Sequence, residues 1–211
     1  MKKLLVVLLV ALCAVFTVNA IGPEFGVKAG LTMGNMVWGD QEPSEFDKDM
    51  FRQGLTGGIM MEIPLGPLSL GAEALYTQKG EKEEWDFGEG DVMTWTYKLD
   101  YIEVPVMAKL ALIPMLKIYG GVSFGFLTKA EVEYEWLEET ETYDMKDFMN
   151  KTEMGAIFGA QVKISQLILD ARFNMGLTDI RNEDLIEGEM NDIVPEKLTL
   201  RTISLTAGIM F

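Results

Sequence analysis

Eight segments of the chain alternate between apolar and polar side chains, and this repeat of two residues restricts the fold more than any other feature. The pattern is clearest in residues 202–211 and 169–176. Each segment is long enough to cross a bilayer as a tilted strand of about 9–11 residues. The sequence therefore predicts an all-β fold, an eight-stranded antiparallel barrel in which each strand pairs with the next.

The predicted connections between these strands alternate in length. The short ones are turns at residues 65–67, 113–115 and 165–166. The long ones are polar and acidic, and span residues 35–51, 79–97, 130–153 and 178–197. They hold 27 of the 33 acidic residues, so the negative charge is concentrated at one end of the barrel. Short turns at one end and long loops at the other are typical of outer-membrane barrels.

Alternation alone does not decide which face of the strands is inside. A soluble, lipocalin-like barrel places its apolar face inward, whereas a membrane barrel places it outward. The polar face carries glycines and charges of both signs, as expected for the filled interior of a narrow barrel. Aromatic residues near the long connections suggest a girdle at the membrane interface: Tyr76, Trp95, Tyr97, Tyr134 and Trp136. These features favour a transmembrane barrel that is integral to the bacterial outer membrane.

The N-terminal segment has the features of an export signal. Lys2 and Lys3 precede an apolar run over residues 4–16, and Val18-Asn19-Ala20 places small residues before a cleavage position after Ala20. We therefore expect a cleaved signal peptide at residues 1–20 and a barrel domain at residues 21–211. A lipoprotein signal is the alternative because Cys13 lies in the apolar run, but Leu12 stands where such a signal requires a small residue.

The residue types that are missing weigh against enzymatic activity. The chain has no histidine, and its single cysteine lies in the predicted signal peptide. Histidine-dependent nucleophilic catalysis, histidine-ligated zinc and disulfides are therefore not expected, and we predict no cofactor. The net charge of −15 also argues against nucleic acid as a partner.

The predicted inward face carries nine ionisable side chains. They are Lys28, Glu62, Glu73, Glu103, Lys109, Lys117, Lys163, Asp170 and Arg172. Buried charges must pair with one another, because an isolated buried charge is very costly. We expect these residues to form a salt-bridge network that fills the barrel, and the alternative is a gated path for ions.

The third long connection keeps alternating beyond the predicted membrane span. Glu133 and Glu135 alternate with Tyr134 and Trp136, which suggests strands that stand above the bilayer. Such strands form a candidate interaction loop with an edge that an extracellular protein partner could bind. A solvated hairpin protected by its charges is the alternative. Calcium or magnesium binding by the acidic loops, for example at residues 40–49, is a weaker possibility.

Four parts of the sequence resemble known barrel proteins. Residues 25–31 (FGVKAGL) resemble the first strand of PorT-like outer-membrane proteins, and residues 101–109 (YIEVPVMAK) resemble the fourth. The terminal Phe211 is similar to the signal by which the barrel-assembly machinery recognises its clients. The long third connection resembles that of outer-membrane protein X in overall architecture. The resemblance implies a barrel fold, outer-membrane lipid and the assembly machinery as partners, but little about function.

The sequence leaves three hypotheses for function. The leading one is a non-enzymatic role in envelope structure or surface interaction, including adhesion. The second is a narrow pore for ions or small solutes. The third is an accessory role in a secretion system, which the PorT-like resemblance permits.

Overall fold

The structure is a computed structural model that describes residues 22–39, 51–86, 92–136, 139–182 and 197–211. The predicted signal peptide at residues 1–20 lies outside the described residues, as do the acidic positions 40–49. Within the described parts of the chain, no helix is long and apolar enough to cross a membrane.

The described residues form nine β-strands and one short 3-10 helix at Lys146–Phe148. The strands are β1 Glu24–Trp38, β2 Arg52–Leu65, β3 Leu68–Asp86, β4 Val92–Ile113, β5 Leu116–Trp136, β6 Glu139–Asp144, β7 Thr152–Ile164, β8 Leu167–Gly176 and β9 Leu198–Met210.

Eight of these strands close into a ring. Each strand pairs antiparallel with its neighbour in the order β4, β3, β2, β1, β9, β8, β7, β5, and β4 also pairs with β5. The closing pair of β1 and β9 is in register from Gly26 opposite Met210 to Trp38 opposite Leu198. Closure leaves no free edge at membrane depth, where an unpaired backbone group costs several kcal/mol. The eight-stranded antiparallel barrel predicted from the sequence is confirmed.

The apolar face of the strands points outward and the polar face points inward. Ile59 and Leu205 are 63% and 62% exposed, whereas Glu62 on the opposite face is 1% exposed. In β3, β4 and β5, the same alternation of exposed and buried positions runs along the part of each strand nearer the short turns. This is the opposite of a soluble ligand-binding barrel, so the lipocalin-like alternative is wrong for this chain.

Tight turns connect β2 to β3, β4 to β5 and β7 to β8, as predicted. Gly66 in the first turn has a φ of 79°, a conformation that glycine adopts without steric cost. Ser165 in the third turn has a φ of 57°, in the left-handed region that non-glycine residues occupy far less often.

Two of the connections predicted as long loops are mostly strand. Residues 79–97 continue β3 and β4 well past the barrel, and residues 130–136 continue β5. β6 pairs with the end of β5. Together, β3 from Gly80, β4 up to Lys98, β5 from Ala130 and all of β6 form a four-stranded extension, which we call the projecting sheet. Gly80 lies where this extension begins; its φ is 136°, and a Cβ atom there would clash with the carbonyl oxygen of Tyr97.

Prediction for the lipid-facing surface. Leu205 lies near the middle of β9 on the outward face, and Ile113 lies at the end of β4 beside a turn. We expect Leu205→Arg to lower the free energy of unfolding in lipid vesicles by about 2–4 kcal/mol, because a charge at the bilayer midplane is costly. The matched change Ile113→Arg, near the interface, should cost about 0–1 kcal/mol. Equal urea midpoints for the two variants would contradict a lipid-facing Leu205.

Candidate functional site

The interior of the barrel contains three groups of paired charges, which follow one another from the short-turn end towards the projecting sheet. The first group is centred on Glu62 of β2. The Nζ atom of Lys109 lies 2.9 Å from its Oε2 atom, and Lys117 binds its other oxygen. Lys109 also donates to the Oε1 atom of Gln161 at 2.6 Å. Two lysines, one from β4 and one from β5, thus bind one carboxylate at the short-turn end of the barrel.

The second group joins β1, β3, β5 and β8 across the middle of the barrel. Glu73 accepts from Lys28 at 2.8 Å and from the Nη2 atom of Arg172 at 2.8 Å. Asp170 lies 3.5 Å from Lys28 and accepts from the hydroxyl of Tyr119 at 3.1 Å. Tyr119 in turn accepts from the Nε atom of Arg172 at 3.1 Å. The two cations and two carboxylates therefore share partners and form one network.

The third group lies towards the projecting sheet and is centred on Lys79 of β3. Its Nζ atom lies 2.7 Å from Glu103 of β4 and 2.8 Å from Glu153 of β7. It also lies 5.0 Å from the centre of the Tyr101 ring, within the range of a cation–π contact. The amide of Asn174 donates to Glu103 at 3.1 Å.

The charges of the three groups balance. They contain five cations and five carboxylates: Lys28, Lys79, Lys109, Lys117 and Arg172 against Glu62, Glu73, Glu103, Glu153 and Asp170. All except Lys117 are buried. Because neutralised, hydrogen-bonded pairs remove most of the cost of burying charge, the network is compatible with a narrow, poorly hydrated interior.

An apolar cluster closes the barrel above the charged groups. Its buried members come from β1, β4, β5, β9 and the segments that follow β6 and β8: Met36, Leu99, Tyr101, Leu127, Ala130, Met149, Ile180, Leu198 and Leu200. The two non-strand segments are tied to each other, because Asn150 donates from its backbone to the carbonyl of Ile180 at 2.7 Å. We call this cluster the apolar cap. The alternation pattern does not predict this cluster, because the inward positions that it predicts are polar.

Little free space remains between the charged groups. A cavity lined by Lys28, Glu103, Asp170, Arg172 and Asn174, among others, has a volume of about 10 Å³. A water molecule needs about that much space, so this cavity holds roughly one. Side chains therefore fill this part of the barrel interior, as expected for eight strands.

Eight of the nine predicted interior residues lie in the three groups of paired charges, and Lys163 is the exception. Lys163 lies at the short-turn end, where it pairs with Glu24 at 2.6 Å and both side chains are partly exposed. It therefore lies outside the three groups of paired charges. Conversely, Lys79 and Glu153 were assigned to loops, although they complete the third group of charges. The strands β3 and β7 are longer than the sequence pattern predicted. The pattern missed these parts because their inward positions are charged.

The two faces of the projecting sheet differ in chemistry. One face continues the outside of the barrel and carries lysines that pair with neighbouring acids, such as Lys98 with Glu133 at 2.6 Å. Lys129 pairs with Glu131 at 2.8 Å, just above the barrel. Lys82 pairs with Glu84 on the same face. We call this the outer face.

The other face continues the inside of the barrel, and we call it the aromatic face. Trp95 and Tyr97 share the phase of Leu99 and Tyr101, which are buried inside. Tyr134 packs edge-on against Trp95 with ring centres 4.9 Å apart. The predicted lipid-facing girdle is therefore wrong for these residues and for Trp136. Tyr76 does point outward, and its hydroxyl donates to Asp100 at 2.6 Å.

A bulge explains why β5 changes phase. The register between β4 and β5 shifts at Asp100 and Tyr101, which leaves Thr128 as an extra residue on β5. Before the bulge Phe126 points outward, and after it Ala130 and Val132 are buried. An inserted residue turns the following side chains to the other face of a strand. Tyr134 and Trp136 therefore share the aromatic face, while Glu133 and Glu135 lie on the outer face.

Glu81 is a buried carboxyl at the base of the aromatic face. It is 3% exposed, and its Oε2 atom has no hydrogen-bond partner among the described residues. Burial raises the pKa of Glu81 to about 8, and the neighbouring charge of Glu83 adds to this effect. A hydrogen bond from the backbone of Met36 acts in the opposite direction.

Two further predicted features can be located. Phe211 is exposed, and its backbone donates to the carbonyl of Phe25 at 2.8 Å, which ties the end of the chain to β1. Within the described residues, no group of three or more acidic side chains is close enough to hold a metal ion.

Comparison with known proteins identifies the family. The family described as outer membrane protein beta-barrel domain matches residues 19–182, more than half of the chain. The chain belongs to this family. The protein is therefore an integral protein of the outer membrane. No curated protein matches the sequence.

Solved structures with a similar fold have little sequence in common with this chain. Neisserial surface protein A has a TM-score of 0.50 at 13% identity, over 90% of this chain and 99% of that protein. Ail, the attachment invasion locus protein of Yersinia pestis, has a TM-score of 0.48 at 12% identity, over 90% and 100%. A major outer membrane protein from Thermus thermophilus has a TM-score of 0.48 at 14% identity, over the same shares. The first of these likenesses supports the fold, and none of them indicates function.

Prediction for the interior network. Removing Arg172 leaves Glu73 with only one of its two cationic partners in a buried site. We expect Arg172→Ala to lower the free energy of unfolding by about 3–5 kcal/mol. Lys163→Ala, which breaks a partly exposed pair, should cost about 0–1 kcal/mol. Urea midpoints in detergent measure both, and an unchanged midpoint for Arg172→Ala would contradict a buried network.

Prediction for Glu81. Because its pKa is higher in the folded protein than in the unfolded chain, its contribution favours folding at low pH. That contribution is lost as the pH rises from the unfolded pKa, about 4.3, towards 8. The unmodified protein should therefore lose stability to urea between pH 5 and pH 8.5, in part because Glu81 ionises in the unfolded chain. We expect Glu81→Gln to lack this part of the loss, measured as the urea midpoint at each pH. Glu84→Gln, at an exposed position on the outer face, should leave the pH dependence as in the unmodified protein. If the urea midpoints of Glu81→Gln and of the unmodified protein changed with pH in parallel, a raised pKa of Glu81 in the folded protein would be contradicted.

Proposed function

We propose that this protein is a non-enzymatic surface-interaction protein, which uses its barrel as an anchor and its projecting sheet to contact an extracellular partner. The observation that carries the proposal is the division of the molecule into a filled, capped barrel and a sheet that extends beyond it. The described interior of the barrel offers side-chain packing and paired charges around a cavity of about 10 Å³, and the projecting sheet offers exposed aromatic and acidic side chains.

The surface of the projecting sheet has the composition of a binding site. Trp85, Trp136 and Tyr143 are 56%, 45% and 54% exposed. Aromatic side chains are common anchors in protein interfaces, because they bury a large area at a small cost in conformational entropy. Because these aromatic side chains are exposed, they contribute little apolar burial to folding, whereas a bound partner could bury them.

A narrow pore is the second candidate, and one observation favours it. The three groups of charges form a column along the barrel from Glu62 to Glu153. The apolar cap opposes this function, since Leu99, Tyr101 and Leu200 are buried and belong to one apolar cluster above the charged groups. An apolar constriction is a barrier to ions because it excludes water. We therefore rank surface interaction above conduction.

We propose three further assignments from particular features of the chain. The absence of histidine supports a protein without enzymatic activity. The exposed terminal Phe211 supports recognition by the barrel-assembly machinery during biogenesis. The PorT-like subfamily, and with it an accessory role in secretion, is supported only by residues 25–31 and 101–109.

Prediction for surface interaction. The full chain and a trimmed variant, in which short Gly-Ser turns replace residues 82–96 and 133–142, would be produced in a non-adherent bacterial host. These cuts retain the charged groups and the apolar cap. We expect cells with the full chain to attach to at least one of a series of surfaces coated with extracellular proteins of different charge. The trimmed variant should attach far less to the same coating, at equal amounts of folded protein in the outer membrane.

Equal attachment by the two variants on every coating would contradict the proposal. A binding role for the projecting sheet requires that its removal changes attachment, whatever the partner is.

A further inference from the structure

One row of side chains crosses the aromatic face from edge to edge. Glu83 of β3 pairs with Trp95 of β4, Trp95 pairs with Tyr134 of β5, and Tyr134 pairs with Glu141 of β6. Side chains that are paired in this way lie on the same face of a sheet. The row therefore places a carboxylate at each end and two packed aromatic rings between them.

Among the described residues, no cation lies beside the carboxylates of this row. Above Lys79, the described positions of the aromatic face include no lysine or arginine, and no ion pair involves Glu83 or Glu141. Glu141 does accept a hydrogen bond from Tyr143 on the same face. The lysines of the projecting sheet are all on the outer face or at its base, where they pair with acids. The negative charge of the aromatic face is thus available to an outside group.

The aromatic rings beside Glu83 form an open groove. It has a volume of about 420 Å³ and is lined by Glu83, Trp85, Met93, Trp95 and Tyr97. Trp95 and Tyr97 are half-buried, so their rings are held in place while part of each remains accessible. Aromatic faces next to a carboxylate attract cations through both the ring quadrupole and the full negative charge.

We infer that the aromatic face binds lysine and arginine side chains of a basic polypeptide, with the row from Glu83 to Glu141 as its centre. This inference rests on the proposed surface interaction and names the chemistry of the partner. The aliphatic stem of the bound side chain would pack on Trp85 and Met93, and the charged group would lie between Trp95 and Glu83.

The width of the sheet favours a polypeptide over a small cation. Glu83 and Glu141 are three strands apart, which corresponds to about 14 Å at the usual spacing of strands. Four residues of an extended chain cover about 13 Å, and side chains four positions apart lie on the same side of it. An extended segment that crosses the strands can therefore bring one basic residue to each carboxylate.

The net charge of the protein supports the same partner. The chain carries a net charge of −15, and most of its acidic residues belong to the connections at this end of the barrel. A negative surface attracts cationic partners and repels anionic ones, such as nucleic acids and sulfated polysaccharides.

The test uses the full protein folded in zwitterionic lipid vesicles and a nine-residue peptide with two arginines four positions apart. Quenching or enhancement of tryptophan fluorescence reports binding. We expect Glu83→Gln or Trp95→Ala to weaken binding about five- to tenfold, which corresponds to roughly 1–1.4 kcal/mol. The matched control is Glu84→Gln, because it removes the same charge one residue away on the outer face. It should change affinity less than about twofold, as expected for an exposed charge outside the site.

Several results would overturn the inference. Equal weakening by Glu83→Gln and Glu84→Gln would mean that only the net charge matters. Binding of spermidine or tetramethylammonium as tight as that of the peptide would mean that the site takes small cations. A peptide with two glutamates in place of the arginines that bound equally well would exclude recognition of cations.

Failure of this inference is distinguishable from failure of the proposed function. If the full chain mediates attachment that the trimmed variant loses, but the arginine peptide does not bind, the surface interaction stands and the partner is not basic. If trimming changes no attachment, the proposed function itself is wrong.

Discussion

The paired charges inside the barrel are the interaction on which the rest of the structure depends. An apolar outer face requires that the polar side of every strand points inward, where eight strands leave room only for side chains. Five cations and five carboxylates meet there and neutralise one another. Because these partners come from β1, β2, β3, β4, β5, β7 and β8, the network also fixes how the strands are placed around the ring.

The apolar cap and the projecting sheet follow from the same constraint. Once the interior is filled, the end of the barrel next to the projecting sheet can be closed by packing, as Leu99, Tyr101 and Leu200 do. The strands β3, β4 and β5 then continue beyond the bilayer, where β6 joins them. Beyond the barrel, the face of these strands that continues the inside is no longer covered by the other strands of the ring. The aromatic side chains on that face therefore become accessible. The accessible aromatic surface at this end, which we propose as a binding surface, is a consequence of strands that are longer than the membrane requires.

Much of the fold could be predicted from the sequence, because alternation and turn lengths are local properties. The strands, the short turns, the direction of the apolar face and most of the inward charges follow from a period of two. Lys79 and Glu153 were missed because they lie in charged stretches that look like loops, although tertiary pairing makes them part of the interior. The phase of Tyr134 and Trp136 was predicted incorrectly because the bulge at Thr128 depends on pairing with β4, which the sequence of β5 alone does not reveal. The apolar cap combines residues from separate parts of the chain, so no local pattern indicates it.

The measurement that tests the account most directly is the conductance of the folded protein in a planar lipid bilayer, with folding verified by its electrophoretic shift on heating. A filled and capped barrel should give no discrete openings over the range of voltages that the bilayer tolerates. Reproducible openings with an ion selectivity that changes in Glu103→Gln would show that the interior charges line a conducting path. That result would contradict the closed barrel and would make transport, rather than surface interaction, the function to pursue.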